Sequence, residues 1–211
     1  SLSNNRMVAE TMARGVEAVQ RQAVKGEQTA SDWDAAAYQE ILTSFVGSNP
    51  ETFGGGIWFE PYQYRPEQRY FSPYCMRQNG AVTYVDNYSL GEGVYYTDQD
   101  WYTNAANTTQ KSVWSAPYYD EFAQISMVTS PAPIYDETGR FLGVATADID
   151  LTQMQQMVLS LDVVANGRAF LIDDTGVYIA DEDSEKLLSA NILEDDNPSF
   201  AALGRQILSQ Q

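Results

Sequence analysis

The sequence predicts an α+β protein that opens on a long helix and continues into a central antiparallel sheet of about five or six strands. Three observations predict it. An apolar stripe at helical spacing runs through residues 4–25, Asn79-Gly80 sits between two apolar-aromatic runs, and two long alternating runs flank the turn Asp136-Glu137-Thr138-Gly139. Part of a second α/β unit follows.

The first helix is read from Val8, Met12, Val16, Val19 and Ala23, which recur every three or four residues, with Arg6, Glu10, Arg14, Glu17 and Arg21 on other faces. Such a narrow stripe suits packing on its own domain or on a twin helix in a homodimer. Residues 26–30 break the pattern, and Ser31 or Asp32 caps a second helix that buries Tyr38, Ile41, Leu42 and Phe45 and ends at Asn49-Pro50. Gly54-Gly55-Gly56 leads into a short strand at Ile57-Trp58-Phe59. The runs 70–77 and 81–85 form a hairpin around Asn79-Gly80, and Pro73 suggests an edge strand or a bulge there. Residues 99–107 read as a short helix started by Asp98 or Asp100, and 113–115 as a short strand. Residues 124–134 and 141–149 form a second hairpin, and 152–161 a connecting helix. A third hairpin at 168–172 and 177–180 closes on Asp173-Asp174-Thr175-Gly176, echoing the turn at 136–139. Asn197-Pro198-Ser199 then starts a last helix through Leu208. Two strands and a helix make too little sheet to stand alone, so this second unit reads as incomplete or docked on the first. The chain thus divides into a helix (1–30), a sheet unit (31–150), and a connecting helix with a partial unit (151–211).

Composition narrows the function. Forty-four per cent of residues are hydrophobic, enough for a core, and 14 tyrosines and 4 tryptophans favour pockets with polar tips. A net charge of −17 excludes nucleic acid as a partner and disfavours anionic lipid surfaces; it suits solubility and the attraction of cations. The absence of histidine removes Ser-His-Asp and Cys-His catalysis and the usual imidazole metal ligands. The single Cys75 can form no internal disulfide and reads as a small buried apolar residue. Adjacent carboxylates such as Asp120 and Glu121 point to opposite faces of a strand, so they do not converge as an acid–base pair. No phosphate loop or nucleophile elbow occurs, and the chain reads as no enzyme, with no cofactor and no metal. The acidic runs at 181–185 and 194–196 raise a divalent-cation module as an alternative, but neither has calcium-loop spacing. No window reaches the roughly 20 apolar residues of a membrane span, and no signal peptide is present.

The stretch 98–151 carries a family resemblance: DQDWYTNA, VWSAPYYDEF and ISMVTSPAPIYDETGRFLGVATADIDL, in that order. With NPETFGGGIWFEPY upstream and GRAFLIDDTGVYIADED downstream, it resembles the double-Cache sensor domains of prokaryotic transmembrane receptors, over roughly residues 30–190. The resemblance implies two stacked PAS-like units on a stalk helix. It implies an extracellular or periplasmic location, with membrane helices just before residue 1 and after the missing C-terminal part. It also implies a small-molecule pocket in the membrane-distal unit, and output through a kinase, chemotaxis or cyclic-dinucleotide module.

The family's pocket motif maps onto Trp101-Tyr102, onto Tyr118 and Asp120, and onto Asp148. In amino-acid-binding members an arginine stands two residues before the tryptophan; here that position is Gln99, and no basic residue lies between Arg77 and Lys111. Asp120 and Asp148 are acceptors suited to an ammonium, while Trp101, Tyr102, Trp114 and Tyr118 offer faces and hydroxyls, with Tyr95 at the edge by analogy. Aromatic surfaces with carboxylates and no balancing cation favour an amine or quaternary ammonium, with an amino acid or other metabolite also compatible. Each residue has a plainer role open to it: Trp101 and Trp114 as core, Asp120 as a turn support, and Asp148 as a helix cap, although Asp150 is better placed for that. A ligand-free spacer or a protein-interaction module is the remaining alternative.

Overall fold

A computed structural model describes residues 2–25, 33–86, 88, 93–161, 167–173 and 175–210. The break expected at 26–30, the cap expected from Ser31 or Asp32, and Asp174 of the third hairpin turn lie outside the described residues.

The sequence's first helix is α1 (Leu2–Lys25), followed by α2 (Trp33–Ser48). The stripe of α1 packs on its own domain: Val8, Ala9, Met12, Ala13 and Val16 are buried with Tyr38, Leu42 and Val46 of α2. Both helices cover one face of a six-stranded antiparallel sheet made of β1 (Gly54–Phe59), β2 (Tyr74–Gln78), β3 (Ala81–Val85), β4 (Tyr118–Asp120), β5 (Ile125–Tyr135) and β6 (Phe141–Asp150), in the order β3-β2-β1-β6-β5-β4. Because side chains alternate along a strand, Ile57, Phe59, Cys75, Ala132, Ala145 and Ala147 face the helices, and Trp58, Tyr74, Met76, Met127 and Val144 face the other way. Cys75 is fully buried, and burial pushes its thiol pKa up to about 12, consistent with an inert core residue.

The turns explain why the strands register as they do. Asn79 (φ 52°) and Gly80 (φ 81°) form the two-residue connection between β2 and β3, with Gln78 opposite Ala81. Asp136 Oδ1 accepts from Thr138 N (2.8 Å), Thr138 Oγ1 (2.6 Å) and Arg140 N (3.0 Å). Asp173 Oδ1 does the same for Thr175 N, Thr175 Oγ1 and Val177 N. The two echoing turns therefore share one hydrogen-bond plan, and Gly139 (φ 82°) and Gly176 (φ 92°) hold equivalent positive-φ positions in them.

Three local expectations need correction. Pro73 does not mark an edge: β2 lies between β1 and β3, and Pro73 stands just before it, where its carbonyl still accepts from Ile57 N at 3.0 Å. The short strand is at 118–120 rather than 113–115. Residues 113–115 instead run irregularly along the outer edge of β5, with Val113 N on Pro131 O (3.1 Å) and Ser115 N on Thr129 O (2.9 Å). This edge tolerates Pro131 and Pro133 because their missing N–H groups face outward. The helix α3 (Asp100–Asn107) is entered through Gln99, whose carbonyl takes the first amides but whose side chain makes no cap, so neither Asp98 nor Asp100 is the N-cap.

Asp150, not Asp148, caps α4 (Leu151–Leu159), accepting from Thr152 N at 2.7 Å. The small hairpin of β7 (Leu171–Ile172) and β8 (Tyr178–Ala180) follows, and then α5 (Pro198–Leu208), capped by Asn197 with Pro198 in the first turn. This second unit docks through Leu151, Met154 and Ile179 onto Val128 and Ile149 of the large sheet, with Trp114 and Leu171 packed alongside. Its acidic runs are partly neutralised from within: Asp181 pairs with Arg168, and Asp195 with Lys186 at 2.7 Å. Among the described residues, no helix is long and apolar enough to cross a membrane.

Candidate ligand-binding site

The helix-free face of the sheet is a floor of aromatic rings, and its construction begins with glycine. A Cβ on Gly56 would lie 2.6 Å from the Trp58 ring, and one on Gly54 would collide with the Tyr74 hydroxyl. Bare backbone at these two positions lets the Trp58 and Tyr74 side chains lie across β1. Trp58 is then fixed by donating from Nε1 to Thr146 Oγ1 at 2.9 Å. Around it stand Trp101 (ring centroids 4.9 Å apart), Tyr88 (5.3 Å), Tyr96 (5.5 Å) and Tyr74 (5.8 Å). Tyr74 and Tyr88 touch each other at 4.6 Å, and Phe122 packs on Tyr88 at 4.2 Å.

Two carboxylates are set into this floor. Asp148 on β6 is 2% exposed and accepts from the Tyr74 hydroxyl (2.6 Å) and from Thr129 Oγ1 on β5 (2.7 Å). The Tyr118 hydroxyl shares a hydrogen bond with Thr129 Oγ1 at 2.7 Å, so β4, β5 and β6 are tied in one chain ending on Asp148. Asp120, 6% exposed, accepts from the Tyr88 hydroxyl and from Ala123 N (2.7 Å). Neither aspartate forms an ion pair with a Lys or Arg among the described residues.

Burial therefore dominates the electrostatics. Removal from water raises the Asp148 pKa to about 7 against the lowering by its Tyr74 and Thr129 hydrogen bonds, and the Asp120 carboxylate adds to the rise. Tyr74, Tyr88 and Tyr118 are all pushed well above the usual phenol range, first by burial and then by the neighbouring carboxylates, so they remain protonated donors. The result is a pair of acceptor groups, one of which changes charge near neutrality, with no cationic partner among the described residues.

A cleft of about 330 Å³ adjoins this floor at Trp101, lined by Asp98, Gln99, Asp100, Trp101 and residues 115–119. It brings Gln99, Trp101 and Tyr118 together at one opening. Asp120 and Asp148 do not line it: both are buried behind Tyr118, Asp120 two residues further along β4 and Asp148 joined to the Tyr118 hydroxyl through Thr129 Oγ1. Gln99 stays at the mouth, its amide donating to Tyr95 O at 3.3 Å. The other three sequence candidates lie apart. Tyr102 turns into the core, donating to Glu60 Oε2 at 2.7 Å and packing on Tyr96 and Phe141. Tyr95 is exposed and stacks on Tyr70 at 5.2 Å. Trp114 belongs to the boundary with the second unit.

Sequence reasoning missed Trp58, Tyr74, Tyr88 and Thr129. The glycines before Trp58 are the one local signal that a bulky ring lies across that strand; the partners of Asp148 at 74 and of Asp120 at 88 come from distant segments and carry no local mark.

A family model described as methyl-accepting chemotaxis protein-like, first PDC sensor domain, matches residues 38–156, more than half of the chain. The methyl-accepting chemotaxis protein McpC of Bacillus subtilis (strain 168) is 37% identical over 84 residues, 40% of this chain and 13% of that protein. The extracellular domain of the histidine kinase mmHK1S-Z3 has the same fold at TM-score 0.76 and 20% identity, covering 99% of this chain and 74% of that one. The ligand-binding domain of the Pseudomonas fluorescens chemoreceptor CtaA, solved in complex with L-valine, aligns at TM-score 0.60 and 16% identity, over 92% of this chain and 71% of that one. The chain spans 13% to 29% of the length of the curated receptors it matches.

Proposed function

The chain belongs to the methyl-accepting chemotaxis protein-like first PDC sensor domain family, and from that membership we propose that it is the extracellular ligand-binding module of a transmembrane receptor, whose cleft takes a small ammonium compound. The observation that carries the ligand class is the pairing of buried Asp120 and Asp148 with aromatic rings and, among the described residues, with no Lys or Arg partner. An ammonium supplies the missing positive charge, and Trp101, Trp58 and Tyr118 supply faces for its substituents. In this reading residues 1–30 are the stalk helix, 31–150 the membrane-distal unit and 151–211 the start of the membrane-proximal one, and the module senses without catalysing.

The packing of α1 supplies a route for the signal. Asn5 is 1% exposed; its Nδ2 donates to Ala147 O (2.8 Å), one residue from Asp148, and its Oδ1 accepts from Thr52 (2.8 Å). Arg6 donates to the buried Ser112, which in turn donates to Glu10 Oε1 at 2.7 Å. A ligand that selects one arrangement of β6 or of residues 112–120 thereby selects a position of α1. A homodimer would use the outward flank of α1, where Met7, Thr11 and Arg14 are exposed, since its apolar stripe is buried.

An α-amino acid is the second reading, favoured by the L-valine bound in the CtaA domain. Its ammonium end meets the same aspartates, but its carboxylate would rely on the Gln99 amide instead of a guanidinium. A thermal-shift panel of primary amines, quaternary ammonium compounds, α-amino acids and carboxylic acids separates the readings. A compound present at about 100 times its Kd adds roughly 2.7 kcal/mol of stability. Ammonium compounds should shift melting and lose the shift in Asp148→Asn and Asp120→Asn. Shifts from carboxylic acids alone would overturn the reading.

A further inference from the structure

Thr129 joins the buried carboxylate of Asp148 to the wall of the cleft. It lies directly opposite Asp148 in the β5–β6 pairing and is 1% exposed. Its backbone is fixed on the other side by Ser115, a cleft residue: Thr129 N donates to Ser115 Oγ and Ser115 N to Thr129 O, both at 2.9 Å. A β-branched side chain held in this way has little freedom about χ1. Its hydroxyl carries a single proton, and an ionised carboxylate only accepts, so Thr129 Oγ1 donates to Asp148 Oδ1 at 2.7 Å. The second hydrogen bond of that oxygen, 2.7 Å from the Tyr118 hydroxyl, is then donated by Tyr118. Tyr74, the other donor to Asp148, does not line the cleft.

We propose that Thr129 is the positioning residue of this site: its hydroxyl holds the Asp148 carboxylate in the charged form and relays to it the hydrogen bond of Tyr118, which stands between Asp148 and the cleft. The consequence for the ligand rests on the ammonium reading of the site. Hydrogen bonds in such a chain polarise one another, so the Tyr118 proton strengthens the bond that Thr129 gives to Asp148. The other titratable groups facing Asp148 are Tyr74 on β2, Tyr88, and Asp120 on β4, whose negative charge works against ionisation. Asp150, next on the same face of β6, is committed to the α4 cap, and Asp100 of α3 is exposed at the cleft. β1 and α4 carry no titratable side chain, and α1 covers the opposite face of the sheet.

The test follows the Asp148 carboxyl carbon by NMR in the ligand-free chain, with carbon-13-labelled aspartate, as pH is raised from acid to alkaline; the signal is assigned by its absence in Asp148→Asn. The wild-type midpoint is expected at about 7. Thr129→Val keeps the shape and removes the hydroxyl, and should raise the midpoint by about 1–2 pH units. Thr129→Ser returns the hydroxyl and should bring the midpoint back to within about half a pH unit of wild type. Tyr118→Phe should raise it by roughly 0.3–0.5 pH unit in the wild type and add nothing to Thr129→Val, because Tyr118 acts only through Thr129. Ethylamine, titrated at pH 7, should bind Thr129→Val about five- to fiftyfold more weakly, following the ionised fraction of Asp148. An unchanged midpoint in Thr129→Val overturns the proposal, and so does a Tyr118→Phe effect that persists undiminished in Thr129→Val. Should melting curves show that Thr129→Val does not fold, Tyr118→Phe decides alone, and a midpoint that does not rise there overturns it. A midpoint that moves as expected while ethylamine binds no form of the chain sustains the role of Thr129 and sinks the ammonium reading. An unmoved midpoint with ethylamine binding that depends on Asp148 does the reverse.

Discussion

If an ammonium binds against Asp148, its affinity must follow the ionisation of that carboxylate. Burial holds the Asp148 pKa near 7 in the empty domain, while an aliphatic amine stays protonated to about pH 10. The ligand therefore selects the ionised form, and the observed affinity scales with the ionised fraction. That fraction is about one half at pH 7 and about 1% at pH 5, so affinity at pH 5 should be roughly 100-fold below its plateau above pH 8. Binding at pH 6 should also release about 0.9 proton per ligand, which calorimetry in buffers of different ionisation enthalpy measures directly. The assay is titration of the tightest amine from pH 5 to 9, repeated in Asp148→Asn, where the slope should flatten at a weaker affinity. An affinity that is flat across this range in the wild type, or that rises on acidification, would refute the placement of the ammonium on Asp148.

The same carboxylate governs the stability of the empty domain. Burial raises its folded pKa from 3.8 to about 7, so its contribution to stability is fully present below pH 4 and lost as pH rises through 7. The loss amounts to up to roughly 4 kcal/mol. Urea denaturation should show Asp148→Asn gaining on the wild type between pH 4 and pH 8, and a difference independent of pH would contradict the assignment. Gly56→Ala forces the Trp58 ring to move from 2.6 Å; it should cost about 1–3 kcal/mol and weaken ligand binding, read by chemical denaturation and titration. Arg168→Ala leaves Asp181, fully buried, without its guanidinium partner. It should destabilise the second unit by about 3–5 kcal/mol, visible as faster hydrogen exchange in β7 and β8 with α1, β5 and β6 little changed.

What the sequence made legible was local. Asn79-Gly80 set a turn type, the Asp-Thr-Gly turns set two more, and the spacing of Val8, Met12 and Val16 identified the buried face of α1. Asp150 could be preferred to Asp148 as a cap because capping depends on position relative to the first helical turn. Gln99, Trp101 and Tyr118, which meet at the cleft, and Asp120 and Asp148, which are buried behind Tyr118, come from separate segments, and only the resemblance grouped them as candidates in the sequence. Tyr95, Tyr102 and Trp114 could not be sorted the same way. Whether a ring faces the cleft, the core or another unit depends on helix rotation and on what docks nearby, and the second unit that receives Trp114 is about 40 or more residues further along the chain. Pro73 misled for a related reason: proline restricts pairing only through its missing N–H, and just before β2 that N–H is not needed.

An ammonium group held by two buried carboxylates is tested most directly by a crystal structure with the tightest amine from the panel bound at pH 8. The ligand nitrogen is expected within hydrogen-bonding distance of Asp148 and Asp120, packed against Trp101. A ligand carboxylate in that place, or an amine bound elsewhere with both aspartates still held only by Tyr74, Thr129 and Tyr88, would contradict it.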